Sequence, residues 1–526
     1  MAARVLVAEP LAERGLDAMR DAGHDVEVKT GLTPEELCAA LPGVAALVIR
    51  SATQVTADVL AAGTDLVVVG RAGIGLDNVD VAAATRRGVM VVNAPQSNIL
   101  SAAEHTMALL LAQARNVPQA NADLRGGSWN RSKWEGVELH GKTLGIVGLG
   151  RVGVLVAQRA HAFGMRLVAY DPFVGGDRAR QLGVQLVETM NDLVATSDFL
   201  TIHATKTPDT VGLVNADVLE HAKPGMRLIN AGRGGIVDED ALADAVRDGR
   251  LAGAAIDTFA AEPTTESPLF SLPQVVVTPH IAASTTEGQE LVGNETAIQV
   301  RDYLKEGIIR NAVNFPSVPP DDVPRLRPYL ALAEKLGALV AQLLTERPES
   351  IGIRYYGPLV TAYENVVGSA VLAGALSRTA ESVTAVNARA AAAERGLEVI
   401  ESRSTRPRDF MHVISVKLRG ATRERWVEGI VFEPASERLY SLDGVAIEAP
   451  LEGTLIVIAN DDRPGVIGDV GTALGRHGVN IGSFALGRHG RDAVGVISVD
   501  DSDGLEAAVA EIRQLKNVRE ALVARV

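Results

Sequence analysis

Lys142-Thr-Leu-Gly-Ile-Val-Gly-Leu-Gly-Arg-Val-Gly153 is an apolar run that ends in Gly148-x-Gly150-x-x-Gly153 and passes into an apolar helical pattern over Val152–Phe163. Glycines at this spacing permit a tight turn, let the backbone approach a pyrophosphate, and let the helix pack closely on the strand. Free N–H groups at the helix start attract the anion. A second apolar run, Arg166-Leu-Val-Ala-Tyr-Asp171, follows the helix and ends in an acid, where an adenosine ribose would present its hydroxyls. The stretch reads as a dinucleotide site. A carboxylate there repels a 2′-phosphate, so NAD is the expected cofactor.

The 526 residues exceed one ordinary core and point to several domains. Apolar residues make up 47% and charged residues 22%, the balance of a globular protein. A formal charge of −14 argues against a nucleic-acid or anionic-membrane surface as the main partner. The one cysteine, Cys38, excludes an intramolecular disulfide framework and a Cys-cluster metal site, and no metal is expected. The N-terminal residues enter a strand without the apolar core of a signal peptide, and no run reaches the ~18 apolar residues of a membrane span. The expected location is cytoplasmic, with no membrane partner.

Outward from the fingerprint, short apolar runs alternate with amphipathic segments on both sides. Upstream, Val5–Ala8, Val26–Val28, Ala46–Ile49, Leu66–Gly70 and Met90–Asn93 predict a parallel sheet covered by helices, and Ser101–Ala114 a connecting helix. Downstream, Asp198–His203, Met226–Asn230, Gly253–Asp257 and Val275–Pro279 extend a doubly wound sheet of six or seven strands, with a helix over Asp238–Arg247 capped by its aspartate. A longer helix is expected over Thr285–Tyr303. The prolines between Pro316 and Pro328 predict a linker over 316–328. Beyond it, Tyr329–Leu344 reads as helix, Tyr363–Arg395 as Ala-rich helix, and 397–449 as several antiparallel strands. The last segment reads βαββαβ: Thr454–Ala459, Gly465–His477, Ile481–Leu486, Ala493–Asp500, Gly504–Leu515 and Val518–Arg525. Its turn at Asn460–Gly465 and the polar Gly478–Asn480 either bind a small ligand or serve packing alone. Trp129 and Trp134, in a polar loop with Arg131 and Lys133, either anchor a subunit contact or pack on their own domain.

Three polar residues fall at strand ends or loops of the second sheet: Arg233 in Asn230-Ala-Gly-Arg-Gly-Gly235, Glu262 before Pro263, and His280 in Thr278-Pro-His-Ile281. In a doubly wound fold these ends face the ligand crevice. A histidine takes a hydroxyl proton in the physiological range, a carboxylate fixes its tautomer, and an arginine fork holds a substrate carboxylate. Together they suffice for oxidation of a 2-hydroxyacid.

The fingerprint, Asn230–Asp238, Asp257…Glu262-Pro263 and Thr278-Pro-His-Ile-Ala-Ala-Ser284 resemble the D-isomer-specific 2-hydroxyacid dehydrogenases. Within that family, Gly70-Arg-Ala-Gly-Ile-Gly-Leu-Asp-Asn-Val-Asp80 and the overall layout resemble the long-form branch acting on D-3-phosphoglycerate, the first step of L-serine biosynthesis. The resemblance implies a flavodoxin-like substrate domain (1–97 and 282–315), an inserted Rossmann-type NAD domain (98–281), an α+β intervening domain (316–452) and an ACT regulatory domain (453–526). It implies Arg233, Glu262 and His280 as catalytic. Cofactor contacts would fall on Gly148, Gly150, Arg151, Val152, Gly153, Asp171, Ala204, Ala231, Gly232, Arg233, Asp257, His280, Ile281, Ala282 and Ala283. Substrate contacts would come from Arg50, Ser51, Arg71, Gly73, Gly75 and Asn98, and an L-serine effector would meet Asn460, Asp462 and Asn480. A homotetramer is expected. Ile74, Ala204-Thr205 and Asn460 depart from the family pattern, the first two in contacts that backbone can make, the third at the effector site. Two other readings of the same core are a different D-2-hydroxyacid dehydrogenase, such as a glyoxylate/hydroxypyruvate reductase, and a non-enzymatic NAD-sensing corepressor.

Overall fold

The computed structural model describes residues 2–95, 97–377, 383–432 and 436–526; part of the Ala-rich stretch, 378–382, lies outside them. The chain divides into two compact units, Met1–Asn93 with Thr296–Val526, and Ala94–Glu295.

The first unit opens with strands β1 (Arg4–Val7), β2 (Asp25–Val28), β3 (Ala46–Ile49), β4 (Val68–Arg71) and β5 (Met90–Asn93). They pair in parallel in the order β2-β1-β3-β4-β5, the flavodoxin-like arrangement. β3 and β5 are buried throughout, which is why they read as unbroken apolar runs. The helix Thr286–Glu306 returns to this sheet through Ala297 and Val300, which join Val48, Val68 and Val92 in one core. Asn314 then accepts from Val91 N at 2.9 Å.

The second unit carries β6 (Thr143–Val147), β7 (Arg166–Tyr170), β8 (Gln185–Leu186), β9 (Phe199–Ile202), β10 (Met226–Asn230), β11 (Leu251–Ile256) and β12 (Val275–Val277). All pairs are parallel, in the order β12-β11-β10-β9-β6-β7-β8. This is the Rossmann order, and its direction reverses between β6 and β9. The crevice at that reversal is where the fingerprint sits. Asp238 caps the helix Glu239–Arg247 by accepting from Ala241 N.

The remainder of the first unit contains β13 (Pro348–Tyr356), β14 (Glu398–Ser404), β15 (Val413–Gly420), β16 (Glu424–Phe432), β17 (Ser436–Leu442) and β18 (Val445–Pro450) in the order β14-β13-β15-β16-β17-β18. Two sequence expectations are corrected here. The linker over 316–328 gives way to helix at Val323, with Pro324 in its first turn and Pro328 inside it. A proline at a helix start forfeits an N–H that has no intrahelical partner, so it does not stop the helix. The strand region over 397–449 is not wholly antiparallel, because β14 runs parallel to β13. The helices Pro358–Ala362, Glu364–Leu376 and Ala388–Glu394 lie between them in the chain and supply the crossover that a parallel pair requires.

The chain closes with β19 (Thr454–Asp461), β20 (Ile481–His489), β21 (Asp492–Val499) and β22 (Val518–Arg525), antiparallel in the order β20-β21-β19-β22. Helices Val466–Arg476 and Leu505–Ile512 complete βαββαβ around Ile456, Val470, Leu474, Ile497 and Ile512. Among the described residues, no helix is long and apolar enough to cross a membrane.

Candidate active site

The turn after β6 has the tight backbone geometry that its glycines permit. Gly148 has φ of +89°, and a Cβ there would lie 2.8 Å from Ala204 N, beyond the end of β9. A Cβ on Gly153 would meet Gly148 O at 2.3 Å, so strand and helix touch backbone to backbone. At Gly150 a Cβ would meet nothing within 4 Å. The open space lies at the N-cap of the helix Arg151–Ala162, which has no side-chain cap. Uncapped N–H groups beside an open cradle fit a pyrophosphate. Asp171 Oδ2 accepts from Leu149 N at 2.7 Å and Oδ1 from Phe173 N at 2.9 Å. A carboxylate has lone pairs to spare beyond these two bonds, so a ribose hydroxyl still finds an acceptor. His203, next to Ala204, is pushed down to about 4 by burial and is neutral at physiological pH. Arg151 donates to Pro95 O at 3.3 Å.

On the other side of the sheet reversal, β10 and β11 bring the catalytic candidates forward. Asn230 shapes the Arg233 loop, accepting from Gly232 N at 3.1 Å and donating to Arg233 O at 3.0 Å. The Arg233 guanidinium donates to Gly232 O at 2.8 Å. A Cβ on Gly234 would sit 1.7 Å from Phe259 O, so this loop lies directly on the segment leading to Glu262. Glu262 Oε1 accepts from Phe259 N at 2.7 Å, and Oε2 meets His280 Nδ1 at 2.6 Å. Burial works to raise the pKa of Glu262, but the bonds from His280 and Phe259 N–H and the charge of His280 outweigh it and hold the pKa below the ordinary value. His280 keeps 44% of its side chain exposed, and with Nδ1 engaged, Nε2 is the nitrogen left to take a proton. Among the described residues no hydrogen bond joins Arg233 directly to this pair.

Asp257 is wholly buried and its oxygens are already occupied. Oδ1 accepts from Thr278 Oγ1 at 2.6 Å and Ile281 N at 2.9 Å, and Oδ2 accepts from Ala282 N at 2.9 Å. Two side chains not singled out in the sequence bond to this region. His105 Nε2 lies 3.3 Å from Asp257 Oδ1, and Glu239 accepts from Ala260 N at 2.7 Å and Ser267 Oγ at 2.8 Å. A histidine inside the apolar pattern of residues 101–114 was the available signal for the first.

The substrate candidates, apart from Asn98, lie in the first unit. Glu9, also missed, accepts from Arg50 N, Ala52 N and Thr53 N at 2.9, 3.2 and 2.9 Å. Asn78 holds the same turn from its carbonyl side, donating to Arg50 O at 2.8 Å and Thr53 O at 2.6 Å. Ser51 is thereby fixed in an exposed loop. The Arg71 guanidinium lies over Gly73, where a Cβ would come within 1.4 Å of it. Asn93 donates to Ile74 O at 2.7 Å, beside Gly75, which ties the backbone at Ile74 to the end of β5. In the second unit, buried Asn98 has an Oδ1 without a partner among the described residues.

The effector candidates are not bonded to one another. Asn460 is buried, donates to Asp461 O at 2.8 Å, and keeps Oδ1 without a partner among the described residues. Asp462 pairs with Arg488 at 2.6 Å, and Asn480 donates to Asp500 at 2.8 Å. Of the two loop tryptophans, Trp134 packs on its own unit, donating to Asp123 at 2.8 Å, while Trp129 is 77% exposed.

Comparison with known proteins accords with this geometry. Residues 107–282 match the NAD binding domain of D-isomer specific 2-hydroxyacid dehydrogenases, 325–443 the D-3-phosphoglycerate dehydrogenase intervening domain, and 453–517 the ACT domain. The D-3-phosphoglycerate dehydrogenase of Synechocystis sp. is 41% identical, covering 99% of this chain and 94% of its own. That of Mycobacterium bovis is 45% identical over 92% of this chain and 91% of its own. A crystal structure of a protein from Thermus thermophilus aligns with a TM-score of 0.55 at 35% identity, over 59% of this chain and 99% of its own. The chain therefore belongs to the D-3-phosphoglycerate dehydrogenase family, NAD-binding D-isomer specific 2-hydroxyacid dehydrogenases that carry an intervening and an ACT domain.

Proposed function

We propose that this NAD-dependent oxidoreductase converts D-3-phosphoglycerate to 3-phosphohydroxypyruvate. The observation that carries the reading is the 2.6 Å pair between His280, just beyond β12, and Glu262, in the loop between β11 and β12, in the domain that holds the dinucleotide fingerprint. NAD, when bound, supplies the hydride acceptor. His280 Nε2 takes the substrate hydroxyl proton, and Glu262 holds Nδ1 and stabilises the imidazolium. Arg233 binds the substrate carboxylate and the oxygen that becomes the carbonyl. Arg50, Ser51, Arg71, Gly73, Gly75 and Asn98 receive the remainder of the substrate, with the phosphate drawn to the two arginines. The buried Asn460, with Asp462 and Asn480, receives L-serine. Residues 1–97 with 282–315 act as substrate domain, 98–281 as NAD domain, 316–452 as intervening domain and 453–526 as regulatory domain, in a cytoplasmic homotetramer that exposed Trp129, Val117 and Leu124 help to join.

NADH formation over a panel of D-2-hydroxyacids, with and without L-serine, tests the reading. Preference for D-3-phosphoglycerate supports it, and preference for glycolate or D-glycerate replaces it with the other dehydrogenase reading. Asp171→Ala is expected to lower the preference for NAD over NADP by about tenfold or more, since it removes both the ribose acceptor and the repulsion of a 2′-phosphate. An unchanged ratio of kcat/KM values for the two cofactors removes Asp171 from the ribose.

Glu9→Ala deprives three N–H groups of one acceptor and is expected to raise KM for phosphoglycerate about tenfold or more while KM for NAD stays near wild type. The Glu9 pKa is held low: burial opposes this, but the Thr53, Arg50 and Ala52 N–H bonds prevail. A carboxylate with a depressed pKa stabilises the fold above its unfolded value and loses that contribution as pH falls through its folded one. Thermal melts of wild type and Glu9→Ala should therefore converge as pH is lowered into the acid range.

A further inference from the structure

The helix Ile99–Arg115 places Ser101, His105 and Gln113 on one face, four or eight residues apart, within an otherwise apolar seam. All three reach the last part of the second sheet. Gln113 Nε2 donates to Ala254 O at 3.1 Å and Gln274 O at 2.8 Å, pinning the entry to β12 beside β11. Ser101 Oγ meets Thr285 Oγ1 at 2.7 Å, at the far end of the loop that follows β12. Between them, His105 Nε2 lies 3.3 Å from both Asp257 Oδ1 and Thr278 Oγ1.

We propose that His105 is a positioning residue for the reaction, acting through Asp257 on the turn that carries His280. The inference rests on the reading of His280 as the base. His280 has φ of +51°, a left-handed conformation uncommon for a residue with a Cβ. Asp257 holds that turn at three points: its carbonyl accepts His280 N at 2.9 Å, and its carboxylate accepts Ile281 N and Ala282 N. This grip requires an ionised carboxylate, because a protonated one would turn a donor toward groups that are themselves donors. Burial opposes ionisation of Asp257, and His105, Thr278 and the Ile281 N–H reverse it, holding the pKa below the ordinary value. His105 is a principal contributor to that reversal and comes from an element outside the loop. Removing its N–H loosens the carboxylate, the turn, and then the 2.6 Å contact of His280 with Glu262.

His105→Phe is expected to lower kcat about 10–100-fold, the scale of a small misplacement of a catalytic group. His105→Gln, whose amide N–H can reach the same acceptors, should recover most of the lost turnover. Near-wild-type kcat in His105→Phe overturns the inference, as does equal impairment of the Gln and Phe variants, which would mean that ring packing matters and the N–H does not. Should His105→Phe fail to fold, Thr278→Val removes another donor from Asp257 and is expected to lower kcat in the same way; unchanged kcat there overturns the inference. His280→Ala, measured in parallel, separates the two levels. If His280→Ala keeps its turnover, the base assignment itself falls. If it loses turnover while His105→Phe does not, only the role of His105 falls.

Discussion

His280→Ala is expected to lower kcat by about 10²–10⁴-fold, the range that general acid–base catalysis contributes, while NADH still binds. The geometry sets this expectation. Glu262 occupies Nδ1 at 2.6 Å, so the proton leaving the hydroxyl has one ring nitrogen to go to, and the charge it creates faces a carboxylate kept ionised. Glu262→Gln should fall between wild type and His280→Ala, because the amide can still orient the ring but cannot stabilise imidazolium. Stopped-flow measurement of NADH appearance with D-3-phosphoglycerate, beside fluorescence titration of NADH, reads both quantities. Near-wild-type turnover in His280→Ala would sink the assignment. The depressed pKa of Glu262 gives the pH dependence its sign: the pair retains its carboxylate as pH falls below the ordinary range, and loses it only on passing the folded value.

Arg233→Ala is expected to reduce kcat/KM about 10²–10³-fold, the scale for removing one donor aimed at charge developing in the transition state. Its loop is held by Asn230 from both sides and laid against Phe259, so the substitution removes the guanidinium without releasing the backbone. Arg233→Lys restores charge but not the planar fork, and should recover only part of the loss. The decisive readout is discrimination. Wild type should favour D-3-phosphoglycerate over glycerol 3-phosphate, which lacks the carboxylate, and that ratio should collapse in Arg233→Ala. A ratio left intact would place the carboxylate elsewhere.

The parts legible in the sequence are those whose physics is local. Buried parallel strands announce themselves as apolar runs, as in Ala46–Ile49, and the Gly148–Gly153 turn carries its backbone requirements in its own residue types. His280, beside Pro279 after β12, and Glu262, beside Pro263 in the loop after β11, stood out in the sequence, and their side chains meet. Glu9, Asn78 and His105 were not. Their partners are backbone or carboxylate groups far along the chain, and nothing near them in sequence marks the meeting. β13 escaped for another reason: it starts at Pro348 and contains Gly352, both unfavourable in strands, and the sheet around it overrides them. Helix Val323–Leu343 shows the converse, with prolines that signal a break tolerated in its first turns.

The division of the first unit into two stretches has a consequence during synthesis. Asn93 leaves the ribosome well before Thr296, and the intervening chain, roughly two hundred residues at ~5–20 per second, takes roughly 10–40 s to emerge. Over that interval the sheet β2-β1-β3-β4-β5 lacks Ala297, Val300 and Asn314, so Val48, Val68 and Val92 wait without their cover. The contiguous NAD-binding unit has no such wait. The nascent chain thus completes its NAD-binding unit before the sheet β2-β1-β3-β4-β5 receives its cover, with the early strands needing protection from association in between.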